Sequence, residues 1–197
     1  MRATVLNCTL KKSPAPSNTG ALASVVVGAL RERGVDVVEH RIADLDVGPG
    51  VETDLGDDWT AVHRDLLGSE ILVIATPTWV GRPSSLAQRV LERMDAMISE
   101  QDGDGRPVAY NRVAGVVVTG NEDGAHHVVS EVAGGLGDIG YTIPGQAWTY
   151  WNMGPGPGPD YSDTDHGHEW AHSTGRTMAA NLHAVAVALA ANPVPAP

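Results

Sequence analysis

Apolar residues in this chain fall in short continuous runs. Polar, Gly-rich or Pro-rich stretches separate them, and segments with helical spacing lie between. Residues 4–10 (Thr-Val-Leu-Asn-Cys-Thr-Leu) read as a first buried strand. A polar loop follows from Lys11 to Ser17. Asn18 or Thr19 then caps a helix predicted to reach about Arg33, with Leu22, Val25, Val26, Ala29 and Leu30 on one face. Gly34 stops that helix, and Val35 to Ile42 alternates as a second strand. Residues 43–58 are acidic and Gly-rich, a loop, and Trp59 to Leu67 forms a short helix. Glu70 to Ala75 holds Ile-Leu-Val-Ile-Ala, the uninterrupted apolar run of a central parallel strand, ending at Thr76-Pro77.

A helix is predicted from about Ser84 to Ser99, followed by a surface turn at 101–107. Arg112 to Thr119 is a fourth buried strand, Ala125 to Gly137 a helix, and Tyr141 to Ala147 a fifth strand. Residues 152–167 read as a Gly/Pro/Asp loop, and a last helix covers about Glu169 to Ala191. The tail from Asn192 to Pro197 is expected to fray. Five strands alternating with helices give an α/β fold: a doubly wound parallel sheet with helices on both faces. With no linker and no internal repeat, residues 1–197 form one domain.

Composition narrows the function. Phe is absent, so aliphatic residues must fill the core. The net charge of −11, with no basic stripe, argues against nucleic acid and against anionic membranes. One cysteine, Cys8, excludes an internal disulfide framework and a cysteine-ligated iron–sulfur cluster built by one chain. No leader pattern and no apolar run of about 18 residues is seen. Cytoplasm is therefore the expected compartment, with no membrane insertion.

Ligands of open α/β sheets sit outside the carboxyl ends of the strands, at the point where strand order reverses. The loops after strands one, three and four therefore belong together. The first holds Lys11, Ser13, Ser17, Asn18 and Thr19 just before a helix, where amides and hydroxyls suit a phosphate. The same residue types also serve as a plain helix cap. The loop is neither a Walker A segment nor a G-x-G-x-x-G turn, so a single terminal phosphate fits better than a triphosphate or a pyrophosphate. The second loop, Thr76 to Ser85, contains Pro77, Thr78, Trp79, Val80 and Gly81. Its indole either stacks beside a ring or packs on the core. The third holds Thr119, Gly120, Asn121, Asp123 and Gly124, either amides for a polar ring edge or a capped turn.

Together these loops resemble those of the flavodoxin-like NAD(P)H-dependent FMN reductase and quinone reductase family. The resemblance spans about residues 4–190. Ser17-Asn18-Thr19 is similar to the family's phosphate loop. Thr76-Pro-Thr-Trp-Val-Gly81, followed by Ser85 and Leu86, is similar to its ribityl- and ring-holding segment. Thr119-Gly-Asn-Glu-Asp-Gly-Ala-His-His127 is similar to the segment at the isoalloxazine edge. The resemblance implies strand order 2-1-3-4-5, bound FMN, and NAD(P)H as a transient donor. It also implies ping-pong transfer to a quinone, flavin or similar small acceptor, and a homodimer or homotetramer. The flavin carries the chemistry, so no catalytic side chain is named. Backbone N–H groups of Trp79–Gly81 and Asn121–Gly124 are expected to stabilise charge on the reduced ring. Two other functions stay open: a flavodoxin-type electron carrier, and a flavin-free interaction protein of the same fold.

Other residues have plainer readings. Asp165, His166, His168, Glu169 and His172 lack the H-E-x-x-H spacing and read as a solvated loop and helix start, with no metal expected. His126 and His127 sit at a helix start. Cys8 is a small core residue. Tyr150 and Trp151 belong either to a lid or to a subunit contact. Leu86, Val90, Leu91, Met94 and Met97 are ordinary helix packing.

Overall fold

In the computed structural model, which describes residues 1–196, the chain alternates strand and helix almost throughout. The elements are β1 (Arg2–Asn7), α1 (Asn18–Arg31), β2 (Asp36–Arg41), α2 (Trp59–Leu67), β3 (Ile71–Trp79), β4 (Arg82–Pro83), α3 (Ser85–Met94), β5 (Val113–Gly120), α4 (Ala125–Ile139), β6 (Trp148–Asn152) and α5 (His168–Ala191). The sheet order is β2-β1-β3-β5-β6, and the two-residue β4 pairs antiparallel with β3. Leaving aside β4, this is the order 2-1-3-4-5 expected from the resemblance, with every long strand parallel.

The apolar runs are buried on both faces, as a parallel sheet with helices on each side requires. Leu72 and Ile74 of β3, with Val116 and Val118 of β5, face α2, α3 and α4. Ile71, Val73 and Ala75, with Val113 and Val117, face α1 and α5. Gly115 is where α5 comes closest: a Cβ there would lie 2.6 Å from the Met178 Cε and from the Ala147 carbonyl oxygen.

Three boundaries differ from expectation, each for a local reason. β3 does not end at Thr76-Pro77 but runs to Trp79. β1 pairs with β3 only as far as Asn7 opposite Ala75, and the Ala75 carbonyl accepts the Cys8 N–H at 2.7 Å. Pro77, two residues on, faces the side that β1 has left, so its missing donor deserts no partner. For the same reason β1 is shorter than residues 4–10: Cys8 to Leu10 already belong to the loop.

The fifth parallel strand is Trp148–Asn152, not Tyr141–Ala147. The earlier segment contains Pro144, Gly145 and a left-handed Gln146 (φ 54°), and it touches the sheet only at its two ends, through a bridge from Thr142 to Val113 and through the Ala147 carbonyl, which accepts the Val116 N–H at 2.9 Å. Trp-Thr-Tyr-Trp-Asn instead supplies the aromatic and β-branched side chains that a pleated surface favours, and pairs with Val116–Gly120. The cap of α1 is Ser17 rather than Asn18 or Thr19: its Oγ accepts the Gly20 N–H at 2.9 Å. The tail is tied down at Val194, whose N–H and carbonyl pair with the Asn111 side chain at 2.6 and 3.2 Å. Pro197 lies outside the described residues.

Candidate functional site

The carboxyl ends of β1, β3 and β5 open into one cleft of about 400 Å³, a volume usual for small-molecule sites. Its floor is helix α1. Asn18 and Thr19 occupy the first two helical positions, whose N–H groups have no acceptor within a helix. The third N–H, of Gly20, is already taken by Ser17 Oγ. The Thr19 and Thr119 hydroxyls lie 2.7 Å apart and fix the start of α1 against the end of β5. Two donors and the positive end of a 14-residue helix therefore face the cleft.

β3 supplies the mouth. Trp79-Val80-Gly81-Arg82 is a two-residue hairpin closing onto β4, with φ of 52° at Val80 and 70° at Gly81. Both central residues are left-handed, as a type I′ turn demands. Asn-Gly is the usual choice there, and a β-branched Val is strained. The turn leaves Trp79 54% and Val80 91% exposed. Below it, Thr78 is 6% exposed, and among the described residues its Oγ1 has no hydrogen-bond partner.

β5 brings Thr119, Gly120 and Asn121 to the cleft. Gly120 is needed because a Cβ there would stand 3.0 Å from the Thr78 Cβ. The Gly81 N–H donates to Glu122 Oε1 at 3.3 Å, so this amide serves the contact between loops.

Of the residues expected from sequence, Lys11, Asn18, Thr19, Pro77, Thr78, Trp79, Val80, Thr119, Gly120 and Asn121 line the cleft. The others stand beside it. Ser13 is turned towards β2, with its N–H and Oγ on Asp44 at 2.8 and 2.6 Å. Those bonds hold the Asp44 carboxyl below its ordinary range. Ser17 is spent on the cap. Gly81 and Gly124 back onto one another, a Cβ at 124 lying 3.3 Å from the Gly81 Cα. Asp123 abuts Gly154 instead. His126 meets the Tyr150 ring edge-on at 4.8 Å, and His127 pairs with Glu131 at 3.3 Å. Neither lines the cleft. Cys8 is fully buried, and burial pushes its thiol far up.

Thr9, Leu10 and Glu122 belong to loops already singled out; Trp151, expected at a lid or a subunit contact, joins Pro157, Asp160 and Tyr161, which sequence reading missed, in a further wall. This wall is stitched to the β5 loop. Asn121 accepts the Gly158 N–H through its carbonyl at 2.7 Å and donates through Nδ2 to Asp160 at 3.1 Å. Trp151 donates its indole N–H to the His166 carbonyl at 2.6 Å and meets Tyr161 edge-on at 5.5 Å. The only sequence signal was the density of aromatics after residue 147.

Residues 1–152 match the family model described as NADPH-dependent FMN reductase. The chain belongs to that family. Over 173 residues it is 41% identical to the divalent metal cation transporter MntH of Mycobacterium bovis, covering 85% of this chain but only 25% of that protein's length. Among the described residues, no helix is long and apolar enough to cross a membrane. Over 174 residues it is 36% identical to the 8-demethyl-8-aminoriboflavin-5'-phosphate synthase of Streptomyces davaonensis, covering 82% of this chain and 67% of the synthase. The solved structure of RosB with its bound intermediate, 8-demethyl-8-formylriboflavin-5'-phosphate, superposes with a TM-score of 0.88 at 33% identity. That match covers 98% of this chain and 82% of the RosB chain.

FMN is the cofactor of this oxidoreductase family, and the cleft fits it. The free α1 amides suit a terminal phosphate, the unpartnered Thr78 hydroxyl lies buried at mid-cleft, and the Trp79 indole stands at the mouth. Glu122 and Asp160 oppose Lys11 along the lining, so a phosphate here would be held by uncharged N–H donors rather than by net positive charge.

Proposed function

We propose that this chain uses FMN to carry electrons from NAD(P)H to a small planar acceptor such as a quinone or a free flavin, in ping-pong order. One observation carries the reading: the cleft is phosphate-ready at its base and open at its mouth, where Leu10, Trp79 and Val80 present exposed apolar surface. Bound FMN supplies hydride acceptance and release. The chain supplies position. Asn18 and Thr19 amides would anchor the phosphate, and Thr78 and Gly120 would define the mid-cleft. The hairpin at Trp79 would leave one ring face reachable by donor and acceptor in turn. The amides of Val80 and Asn121 would stabilise negative charge on the ring; the Trp79 amide is taken by the hairpin pairing with Arg82 and the Gly81 amide by Glu122.

The test is anaerobic addition of NADPH or NADH to FMN-loaded protein. Bleaching of the flavin absorbance supports the reading, and an unchanged spectrum ends it. A dye acceptor then separates a reductase, which turns over, from a pure electron carrier, which does not. A homodimer or homotetramer, with a neighbouring chain walling the mouth, goes with this reading and is checked by sedimentation.

A second reading has its own support: the synthase and RosB resemble this chain over most of its length. In it, FMN is the substrate and is altered at its 8-position. Mass spectrometry of the flavin recovered after turnover separates the two. An unchanged mass supports the reductase, and a substituted flavin supports the synthase.

A further inference from the structure

Apart from Trp151, the wall that closes the cleft after β6 lies beyond the segment that matches the family, which ends at residue 152. It carries a pair of titratable side chains that the proposed function has not used. Tyr161 lines the cleft and is 6% exposed, and its hydroxyl lies 2.7 Å from Nε2 of His172 on α5. The phenol is clamped on the remaining sides. His168 stacks on it at 4.0 Å, Trp151 meets it edge-on, and its carbonyl oxygen is 2.9 Å from His168 Nε2. His172 is half-buried, and among the described residues its Nδ1 has no partner. The hydrogen bond therefore links the cleft wall, through the phenol, to an imidazole that is only partly buried.

We propose that Tyr161 and His172 form a proton relay that delivers one proton to the acceptor in the cleft. A quinone that takes up a hydride carries the electron pair on its ring oxygens and still lacks one proton. The phenol O–H bond breaks and an O–H bond forms on the acceptor, completing the hydroquinone. His172 Nε2–H returns a proton to the phenolate as Nδ1 gains one from solvent, and the resulting Nδ1–H tautomer reverts to Nε2–H by proton exchange with solvent before the next turnover. The electrons come from the hydride alone.

Burial holds the phenol above its ordinary pKa, keeping its proton until a partner takes it. Burial, then His168 and Arg176, hold His172 below its ordinary value, so the ring is neutral and returns a proton only as it gains another. The charged and titratable groups around the pair are His168, Glu169 and Arg176 on α5, Asp160 and Asp163 beside Tyr161, and Lys11 and Glu122 across the cleft. Helix α1, which packs against the Tyr161 turn, has no charged side chain between Asn18 and Leu30.

This inference rests on the reading that FMN and a small acceptor share the cleft. Its test is arranged to bypass NAD(P)H. FMN-loaded protein is reduced with stoichiometric dithionite, then mixed with benzoquinone, which needs protons, or with ferricyanide, which takes electrons only. The ratio of the two reoxidation rates cancels any change in FMN loading. In Tyr161→Phe the ratio is expected to fall about a hundredfold, with a smaller fall in His172→Gln. A ratio that stays put in both variants overturns the relay, as does a Tyr161→Phe variant whose only defect is weaker FMN binding. A second readout needs no flavin: imidazole NMR should show His172 titrating below the ordinary range in the FMN-free protein, and moving in Tyr161→Phe. An unmoved titration means that the two groups are not coupled, and the relay falls. Failure of NAD(P)H to bleach the flavin sinks the proposed donor but leaves these measurements standing.

Discussion

Two long Gly-, Pro- and Asp-rich loops look alike along the chain, and the fold uses them in opposite ways. The loop before α2 is anchored by a buried charge. Arg93 on α3 is completely buried and pairs with Asp57; it also donates to the Gly48 carbonyl at 3.1 Å and lies 5.5 Å over the Trp59 ring. Asp57 in turn accepts the Gly48 and Trp59 N–H groups at 2.9 and 3.1 Å. None of these residues lines the cleft. The loop after β6 is held without an ion pair, by hydrogen bonds with Asn121 and by aromatic packing around Trp151, and it carries residues that do line the cleft. A loop that only has to hold a helix can bury its charges in pairs. A loop that walls a site keeps polar groups facing the space a ligand will fill, at a cost in stability.

The largest expected effect tests the structural half of that contrast. Arg93→Ala strands the Asp57 carboxylate in a nearly closed site and should cost about 3–5 kcal/mol in urea unfolding. The FMN affinity of the molecules still folded should stay close to the parent's. A loss of FMN affinity without a loss of stability would mean that this loop, too, belongs to the site.

The same anchor sets an acid sensitivity. The Arg93 hydrogen bond holds the Asp57 carboxyl below its ordinary value. Its contribution is therefore fully present above the unfolded carboxyl pKa of about 4, and is lost as pH falls through the lower folded value. Asp57→Asn should be clearly less stable than the parent near neutrality, and the gap should close in acid. Urea midpoints measured across that range decide it; a gap independent of pH contradicts the assignment.

On the cleft side the sign reverses. Thr78→Val removes a buried hydroxyl that has no partner among the described residues. The FMN-free chain should be as stable as the parent or slightly more so, while FMN binding weakens by about 1 kcal/mol, roughly fivefold. Titration by quenching of flavin fluorescence reads the second effect and calorimetry the first. An equal loss in both would make Thr78 an ordinary core residue.

The smallest expected effect lies at the mouth. Val80→Asn places a residue tolerant of φ 52° at the hairpin turn and should raise the unfolding free energy by about 0.5–1 kcal/mol. It also removes exposed apolar surface beside Trp79, so KM for an apolar quinone should rise while ferricyanide reduction changes less. No gain in stability would mean that the turn is not strained.

Much of this molecule can be read along its residues. The runs at Glu70–Ala75 and Arg112–Thr119 announced central parallel strands, and the segments around Asn18, Trp79 and Asn121 pointed to one end of the sheet. These are local properties: an apolar run without polar breaks has to be buried on both faces, and a helix start has to expose unpaired amides wherever it sits. Pro77 was misread as a strand end because its tolerance depends on β1 stopping opposite Ala75, a fact about a neighbouring strand. Ser13 looked like a phosphate ligand until Asp44, distant in sequence, claimed both of its donors. The fifth strand lies at Trp148–Asn152 rather than at Tyr141–Ala147 because its strand character comes from pairing with β5. The cleft's far wall and the Tyr161–His172 contact could be decided only by tertiary structure, because both arise from α5 returning to the sheet. No residue spacing encodes that return; it follows from burying Met178 and Leu182 over Gly115, where the absent side chain lets the helix settle.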